Sequence, residues 1–524
     1  MKITLDSPVN KYYVQTLGMI FFPGEHFGNK QNENESIDEP CLYVRSEQRD
    51  GGVASYAKVE YKGKCCEADY FAEQTDGRTE ERTLKLSVGG AVLAALGDLM
   101  GYRPAWGMMI GVRPSKVASE MLNAGISKTR VKKILNSDYL VIPKKAALAT
   151  DIALTEKRIV GEGSPKDCSV YISIPFCPSR CTYCSFVSYT SKRLLDLIPE
   201  YIERLKIDIR ENFETIDRLG LRVRTLYIGG GTPTILNEAQ IKDLLSYIAT
   251  LTDVNALDEY TMEAGRPDTI TEEKLAIARE YGVTRVSVNP QSLSDDVLYG
   301  IGRHHTAEDF FRAFSDARRA KIKTVNVDLI AGLPGDNFKR FSGTMDKVLQ
   351  LAPENITVHT FCVKKSAEIL RLNSDIYSIR GGDAGKCVDY SQIKTQQAGY
   401  IPYYMYRQKN TVGNYENVGF SLHGHEGLYN IYMMEEIHSI FSAGAGAVTK
   451  LVDNRYLYNN PIAGKTSGGR STVAPVESSM PIGSDKRTIE RLFHQKYPYE
   501  YLAEDRSCQF SKAAEEFYRE HGML

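Results

Sequence analysis

Three closely spaced cysteines are the residues of this chain whose types and spacing best suit chemistry. Cys177, Cys181 and Cys184 follow the predicted strand Val170–Ile174 in a CxxxCxxC pattern. Cysteine thiolates are the usual protein ligands of iron–sulfur clusters, and the common all-cysteine sites use four of them. The pattern therefore predicts a 4Fe-4S cluster held by three cysteines, with the fourth iron open to another ligand.

Two other cysteine sites stay open on spacing alone. A structural zinc ion would need a fourth Cys or His to complete its tetrahedron, and Cys168 is the nearest candidate. Zinc motifs usually contain two CxxC or CxxH pairs, and no second pair follows here. Disulfides are the other option, but the ten cysteines are scattered over 524 residues, unlike those of a small secreted protein. The spacing favours the cluster.

A second set of candidates lies at the ends of predicted strands. Gly229–Thr232 is a glycine-rich turn, and glycine lets the backbone approach a ligand because it has no Cβ. Glu263, Gln291, Arg303 and Asp328 lie at or just beyond other strand ends. Each alone is more often a surface residue, but together they would suit a zwitterion that carries a ribose. S-adenosylmethionine has these groups and could also bind the open iron.

Alternating strands and helices must position these residues. From Cys168 onward, six short β-branched runs alternate with amphipathic stretches, which predicts six βα units and a parallel sheet. Right-handed crossovers would curl such units into a full or partial barrel, with its chemistry at the C-terminal ends of the strands. The predicted strands are Val170–Ile174, Thr225–Ile228, Tyr260–Glu263, Arg285–Val288, Thr324–Leu329 and Ile356–Thr360.

The chain divides into three predicted regions, which together make an α/β protein. Residues 1–160 are predicted to form a small N-terminal α/β module. Residues 165–375 form the core, a partial (β/α)6 TIM-like barrel. Residues 376–524 form a C-terminal α+β cap that covers the substrate, where the βα alternation has stopped.

Within the N-terminal module, Lys11–Phe22 and Ser55–Tyr61 are predicted as strands, and Leu84–Met100 as a helix that ends at a glycine. The polar stretch Asp151–Cys168 is predicted as a linker. The basic run Lys128–Arg158 is interpreted as a solvated face, because charge runs usually are.

Composition excludes some classes of function. The net charge of -1 and the pI near 6.8 give no overall basic field for binding nucleic acid or an anionic membrane. No stretch approaches the ~20 apolar residues of a membrane span, and the N-terminus does not resemble a leader peptide. We therefore expect a cytoplasmic protein with no membrane insertion and no nucleic-acid partner, a compartment that suits reduced cysteines.

The order of motifs resembles the radical S-adenosylmethionine (SAM) superfamily: CxxxCxYC after a YIxIP strand, then GGGTP, EAGRPDT, a PQS turn and DLIAGLPG. Within it, the chain resembles the oxygen-independent coproporphyrinogen III oxidase (coproporphyrinogen dehydrogenase) family, from about residue 80 to 450. The HemZ-type branch is the most similar, through the segments Trp106–Pro114, Glu263–Asp268, Tyr403–Asn410 and Glu416–Phe420.

This resemblance implies a radical SAM barrel with two cofactors, a 4Fe-4S cluster on Cys177, Cys181 and Cys184 and S-adenosylmethionine beside it. It implies no catalytic side chain beyond the cluster and the cofactor. The residues implied to contact S-adenosylmethionine are Tyr171, Tyr183, Gly230, Gly231, Thr232, Glu263, Gln291, Arg303 and Asp328.

The reaction implied is the oxidative decarboxylation of coproporphyrinogen III, a tetrapyrrole, to protoporphyrinogen IX in haem biosynthesis. A 5′-deoxyadenosyl radical would start it, with a small electron donor such as flavodoxin or ferredoxin. The best-understood dehydrogenases carry another cysteine two positions after the third ligand, whereas this chain has Ser185 and Phe186 there. That ending resembles relatives that act as haem chaperones, which is the alternative function.

A polyanionic tetrapyrrole would need cations and flat apolar surface. The sequence offers a tyrosine-rich strand, which also suits an ordinary half-buried strand, and histidines that are more often loop or core residues. These candidates are Lys364, Lys365, Arg407, Lys409, Tyr403, Tyr404, Tyr406, His304, His305, His359, His423 and His425.

Overall fold

Two β-sheets organise the protein. The computed structural model describes residues 1–22, 39–75, 78–111, 113–362, 383–408, 411–455, 488–503 and 509–524. A four-stranded sheet belongs to the N-terminal module, and an eleven-stranded sheet contains the barrel.

The N-terminal module packs helices on a sheet of order β1-β2-β3-β4, in which only β1 and β2 are parallel. Its strands are β1 (Lys2–Asp6), β2 (Cys41–Arg49), β3 (Gly52–Tyr61) and β4 (Lys64–Glu73). Its helices are α1 (Lys11–Phe21), α2 (Glu80–Met100), α3 (Pro114–Asn123), α4 (Lys128–Ser137) and α5 (Pro143–Val160).

Two predictions for this module are wrong and two are confirmed. Lys11–Phe22 is a helix because Asn10 caps it and its apolar residues are buried at helical spacing, a period that outweighs its β-branched and aromatic content. Asp151–Cys168 is not a linker, because α5 continues to Val160 and supplies buried residues along its length. The strand at Ser55–Tyr61 and the helix at Leu84–Met100 are confirmed.

Helix α2 is long and apolar enough to cross a membrane, contrary to the expectation from the sequence. However, 67% of its apolar window is buried inside the protein, and it packs against β3 and β4. It is therefore the core helix of the N-terminal module, and its apolar character is explained by that packing.

The barrel contains the six predicted βα units, with its strands parallel and in sequence order. The strands are β5 (Asp167–Ile174), β6 (Arg222–Gly230), β7 (Glu259–Gly265), β8 (Arg285–Val288), β9 (Thr324–Ala331) and β10 (Asn355–Thr360). The helices are α6 (Lys192–Leu195), α7 (Ile198–Arg218), α8 (Glu238–Leu251), α9 (Glu272–Glu280), α10 (Asp295–Gly300), α11 (Ala307–Arg319) and α12 (Phe338–Gln350).

The C-terminal region adds strands to both edges of the barrel sheet. Two of them continue it antiparallel beyond β10, and another pairs parallel with β5, so the sheet runs on across the predicted boundary at residue 375. The elements are α13 (Ala384–Gln397), β11 (Ile401–Tyr406), β12 (Asn417–Ser421), α14 (Leu428–Met434), β13 (Ser439–Ala443), β14 (Val448–Val452), β15 (Ile489–Phe493), α15 (Pro498–Ala503) and α16 (Gln509–Glu520).

A segment before and within α14 plugs the end of the barrel at which the strands begin. The carboxylate of Glu259, the first residue of β7, accepts hydrogen bonds from the backbone N–H groups of Leu428 (2.7 Å) and Tyr429 (3.3 Å). The backbone oxygen of His425 accepts from Arg285 (2.6 Å) and Asn355 (3.0 Å), which begin β8 and β10. The plug thus fixes the floor of the barrel.

A buried charge cluster joins the N-terminal module to the barrel sheet. Lys145, predicted on an exposed basic face, is fully buried, with Nζ 2.5 Å from Glu416 Oε1 and 3.1 Å from Asp389 Oδ1. Trp106 Nε1 donates to the other oxygen of Glu416 at 2.7 Å. Burial alone would lower the pKa of Lys145, but the two carboxylates raise it. The prediction failed because the partners lie far away in sequence.

We expect Lys145→Met to lower the free energy of unfolding by about 3–5 kcal/mol, because it leaves the buried Glu416 carboxylate without its cation. The neighbouring Lys144 pairs with the same Asp389 but is half exposed, so Lys144→Met should cost less than about 1 kcal/mol. Chemical unfolding of both variants measures the difference. Equal costs would show that the buried pair does not hold the module on the sheet.

Candidate active site

The three cysteines lie in an irregular loop directly after β5. Cys177 and Cys181 are buried, and Cys184 is half-buried. The backbone N–H of Cys177 donates to the oxygen of Tyr189 at 3.0 Å, and that of Cys184 donates to the oxygen of Cys181 at 3.1 Å. Burial raises the pKa of the Cys177 thiol to about 11 and also raises that of Cys184, so metal binding would have to drive their deprotonation.

Cys168 is separated from this loop. It lies in the second position of β5, buried between β6 and β13, whereas the loop follows the other end of that strand. A strand rises about 3.3 Å per residue, so Cys168 cannot complete a zinc site with the other three cysteines. Within the described ranges, no group of three or more His, Cys, Asp or Glu side chains is arranged around a single metal ion.

Arg266 anchors the first half of the cysteine loop. Its guanidinium is buried, pairs with both oxygens of Asp268 (3.0 and 2.9 Å), and donates to Ser179 Oγ at 2.6 Å. Ser179 lies between the first two cysteines, so the strand end of β7 holds the loop directly. Sequence reasoning missed this residue, although it stands in the EAGRPDT motif.

Arg303 anchors the second half of the loop. It donates to the backbone oxygens of Asn289 (2.7 Å) and Gly265 (3.2 Å), and to the hydroxyl of Tyr183 (3.2 Å). The same guanidinium lies 3.9 Å from the sulfur of Cys181. Burial alone would lower the pKa of Arg303, but Tyr183 and Cys181 raise it. Arg303 is therefore a buried cation shared between two strand ends and the cysteine loop.

The glycine-rich turn after β6 presses against the same loop. Thr232 donates its N–H to the oxygen of Phe176 at 2.8 Å, and its hydroxyl lies 3.3 Å from Cys177 Sγ. A Cβ on Gly231 would lie 2.5 Å from the oxygen of Phe176 and 3.0 Å from that sulfur. Gly230 has a φ of +109°, which favours glycine. Positions 230 and 231 must therefore lack side chains for the turn to fit against the cysteine loop.

Tyrosines surround Glu263 inside the barrel. The hydroxyl of Tyr227 donates to Glu263 Oε1 at 2.5 Å. The rings of Tyr171, Tyr227 and Tyr429 lie nearly parallel, with 4.5 Å between the centroids of Tyr227 and Tyr429. Burial raises the pKa of Glu263 to about 7, although hydrogen bonds from Tyr227 and the Gly230 backbone oppose it. Tyr429 comes from α14, and no local signal in the sequence identifies it.

Gln291 and Asp328 lie together on neighbouring strands. Gln291 adopts a φ of +67°, and its N–H donates to the backbone oxygen of Asp328 at 3.0 Å. Its side-chain oxygen is buried and has no hydrogen-bond partner among the described residues. Burial would raise the pKa of Asp328, but hydrogen bonds from His359, Asn326 and a threonine lower it. Gln291 therefore presents an acceptor that a bound ligand could use.

The predicted residues form two adjoining groups. Tyr183, Gly231, Thr232 and Arg303 surround the cysteine loop, and Gly230 links them to Glu263 through its backbone. Tyr171, Glu263, Gln291 and Asp328 line the barrel interior, where the two carboxylates influence each other. The parallel strands thus bring the nine residues into two groups, one around the cysteine loop and one in the barrel interior, which meet at Gly230 and Glu263.

The residues predicted for a tetrapyrrole are more scattered. Arg407 is buried, donates to the backbone oxygen of Met109, and stacks over Trp106, so it serves the contact with the N-terminal module. Tyr403 and Tyr404 are buried, as in an ordinary strand. Tyr406 remains, with its hydroxyl 3.3 Å from Nδ1 of His359. The lysines Lys364, Lys365 and Lys409 lie outside the described residues.

Most of the candidate histidines are ordinary loop or core residues, and His359 is the exception. His305 is buried behind Arg303, and burial lowers its pKa to about 3. His425 belongs to the barrel floor, and His304 and His423 are exposed or half-exposed. His359 alone among them faces the barrel interior, with Nε2 3.6 Å from Asp328.

Comparison with known proteins agrees with this geometry. The model of the Radical SAM superfamily matches residues 171–348. The oxygen-independent coproporphyrinogen-III oxidase-like protein HemZ of Bacillus subtilis is 36% identical over 425 residues, which cover 79% of this chain and 84% of HemZ. The chain belongs to the radical SAM superfamily, in its HemZ-like coproporphyrinogen oxidase family.

Other relatives of this radical SAM protein carry two kinds of name. The heme chaperone HemW of Bacillus subtilis is 37% identical over 198 residues, or 37% of this chain and 51% of HemW. The solved structure of coproporphyrinogen III oxidase HemN from Escherichia coli aligns with a TM-score of 0.43 and 21% identity, covering 57% of this chain and 67% of HemN. The match to HemZ shows the family, whereas the names of these relatives include both an oxidase and a chaperone.

Radical SAM proteins use a 4Fe-4S cluster and S-adenosylmethionine, and so does this chain. The residues present fit both groups. Three cysteines line the loop, a buried arginine can balance thiolate charge, and the glycine turn leaves room beside Cys177. The unpartnered oxygen of Gln291 fits a ligand with hydrogen-bond donors.

We expect Gly231→Ala to lose most of its bound iron, because the new methyl group would push the Phe176 backbone and Cys177 out of place. Gly343→Ala is the matched control, since a Cβ on this α12 residue would meet nothing within 4 Å. Iron content and cluster absorbance after anaerobic reconstitution measure the effect. Full iron content in Gly231→Ala would contradict the close fit of the turn and the loop.

Proposed function

We propose that this protein catalyses the oxygen-independent oxidative decarboxylation of coproporphyrinogen III to protoporphyrinogen IX. The observation that carries the proposal is the 36% identity to a coproporphyrinogen-III oxidase-like protein across 84% of that protein's length. The match covers 84% of the relative and 79% of this chain, so it extends beyond the radical SAM core at residues 171–348.

In this proposal Cys177, Cys181 and Cys184 hold the cluster. The cluster and S-adenosylmethionine, when bound, supply a 5′-deoxyadenosyl radical that abstracts a hydrogen atom from a propionate side chain of the substrate. Arg266 and Arg303 keep the cysteine loop in place through strand-end contacts. Cytoplasmic location and a flavodoxin or ferredoxin as electron donor belong to the same proposal.

The barrel residues would bind S-adenosylmethionine by complementary charge and hydrogen bonding. Glu263 and Asp328 offer carboxylates for its ammonium and hydroxyl groups, and the free acceptor of Gln291 offers a further hydrogen bond. Tyr183 and Tyr171 flank these groups with aromatic surface. The stacked tyrosines and the plug below them would exclude water from the reacting centre.

The substrate would approach past Tyr406 and His359. Tyr406 is half-buried at the end of β11, and its hydroxyl contacts His359 beside Asp328. In this proposal the flat ring of Tyr406 would stack on a pyrrole of the substrate. The imidazole of His359 would form a hydrogen bond with one of its carboxylates.

A haem chaperone is the second candidate function. Ser185 and Phe186 follow the third cysteine where the best-understood dehydrogenases have another cysteine, and a HemW heme chaperone is 37% identical over 198 residues. In that case the protein would bind haem without decarboxylating coproporphyrinogen III.

The two functions differ in one assay. We expect the reconstituted protein, with a reductant and S-adenosylmethionine, to release CO₂ from coproporphyrinogen III and form vinyl groups under anaerobic conditions. Cys181→Ala should lose both the cluster and this activity, because it removes a ligand of the proposed cluster. Tight haem binding without CO₂ release would contradict the proposal and favour the chaperone. Activity that survives Cys181→Ala would contradict the cluster assignment itself.

Binding of S-adenosylmethionine should strengthen as the pH rises from about 6 to about 8, because Glu263 ionises and can then attract the ammonium group. Glu263→Gln should remove most of this pH dependence. Glu203→Gln, at an exposed position paired with Lys206, is the control. Equilibrium binding at each pH measures the effect, and a parent protein with no pH dependence would contradict the role of Glu263.

A further inference from the structure

One side of the cysteine loop faces solvent. Cys177 and Cys181 are buried against the glycine turn and Arg303, whereas Cys184 is only half-buried. Phe186, two residues later, donates its backbone N–H toward Cys184 and leaves 69% of its side chain exposed. Of the three cysteines, Cys184 is therefore the most accessible from solvent, and this side of the loop is a candidate for electron entry.

Helix α10 brings a second exposed aromatic residue to the same side. The N–H of Thr182, inside the cysteine loop, donates to the oxygen of Ile301 at 3.0 Å. A Cβ on Gly302 would lie 3.2 Å from the backbone oxygen of Arg180, so the end of α10 lies against the loop. Tyr299, in the last turn of α10, is 77% exposed. No other large apolar or aromatic side chain that the structure describes is as exposed.

The charge on this side is positive. Arg180 is exposed and directly precedes Cys181 in the cysteine loop, and no residue in the described ranges forms an ion pair with it. The two acidic residues at the start of α10, Asp295 and Asp296, already have partners. Asp295 accepts from the N–H of Ala307 at 2.8 Å, and Asp296 pairs with Arg340 at 2.6 Å. Arg180, next to the cysteines, is thus a cation on this side that has no ion-pair partner in the described ranges.

We propose that Arg180, Phe186 and Tyr299 form an electron-entry surface that docks a small acidic carrier protein of the flavodoxin class. Tyrosine and arginine commonly dominate binding energy at interfaces, and transient redox complexes bury little area, so a small surface of this kind fits such a partner. Positive charge attracts an acidic carrier and orients it. One electron passes from the reduced flavin of the carrier to the cluster, and no bond is formed or broken.

Only the choice of flavodoxin as the electron carrier rests on the proposed function. The cluster follows from the radical SAM family, and its reduction can be followed without any tetrapyrrole. A failed decarboxylation assay would therefore leave the electron-entry surface open to test, and a failed docking test would leave the decarboxylation open.

The test compares two reductants on the full-length reconstituted protein. Reduced flavodoxin and dithionite are each mixed with the parent, Arg180→Glu and Tyr299→Ser, and bleaching of the oxidised cluster is followed by stopped flow. We expect the second-order rate constant with flavodoxin to fall roughly tenfold in Arg180→Glu at low salt, and the difference to shrink at high salt. Tyr299→Ser should slow flavodoxin at both salt concentrations. Dithionite should reduce Tyr299→Ser at the parent rate and should lose less than flavodoxin does in Arg180→Glu, because its small anions carry less charge than an acidic carrier protein.

Two variants of the N-terminal module serve as matched controls. Lys133→Glu makes the same change of charge at an exposed site on α4, and Phe71→Ser removes an aromatic side chain that is 49% exposed on β4. Both should accept electrons from flavodoxin at the parent rate. Parent rates in Arg180→Glu and Tyr299→Ser would overturn the proposal. Equal slowing with flavodoxin and dithionite would also overturn it, because the residues would then support the cluster rather than the carrier.

Discussion

The site depends on charge balance around Arg303. A buried guanidinium is costly unless neighbouring groups compensate its charge. Arg266 has the carboxylate of Asp268, whereas Arg303 has backbone oxygens, Tyr183 and the sulfur of Cys181, and no carboxylate in the described ranges pairs with it. Asp268 also acts on Arg303 but is already paired with Arg266, so neutral thiols would leave the Arg303 cation without a counter-charge of its own. Thiolates bound to iron would supply one, so the arginine and the cluster stabilise each other.

The regular elements were predictable because their patterns are local. The barrel strand Arg285–Val288 occurs as the sequence predicts, and the parallel order of strands places Glu263, Gln291 and Asp328 on neighbouring parts of the barrel interior. Hydrophobic periodicity, which is a local pattern, is sufficient to predict these strands and their order.

Other parts of the fold and site depend on contacts between distant residues. Lys145 and Glu416 are 271 positions apart, so no local pattern could distinguish this buried lysine from its exposed neighbours. Tyr429 and the floor of the barrel come from a region whose sequence does not continue the βα alternation. The C-terminal strands join both edges of the barrel sheet. The sequence does not predict this pairing, because tertiary packing decides which strand joins a sheet edge.

The interior carboxylates show how one barrel gives two acids different roles. Asp328 is hydrogen-bonded by Asn326 and lies beside His359, which lower its pKa and keep it ionised. Glu263 is enclosed by tyrosine rings, and its pKa rises to about 7. Since that value lies above the ordinary one, the folded protein binds this proton more tightly than the unfolded chain, and stability falls as the pH rises through about 7. A cationic ligand next to Glu263 would offset this loss of stability, so this carboxylate favours binding of a positively charged group.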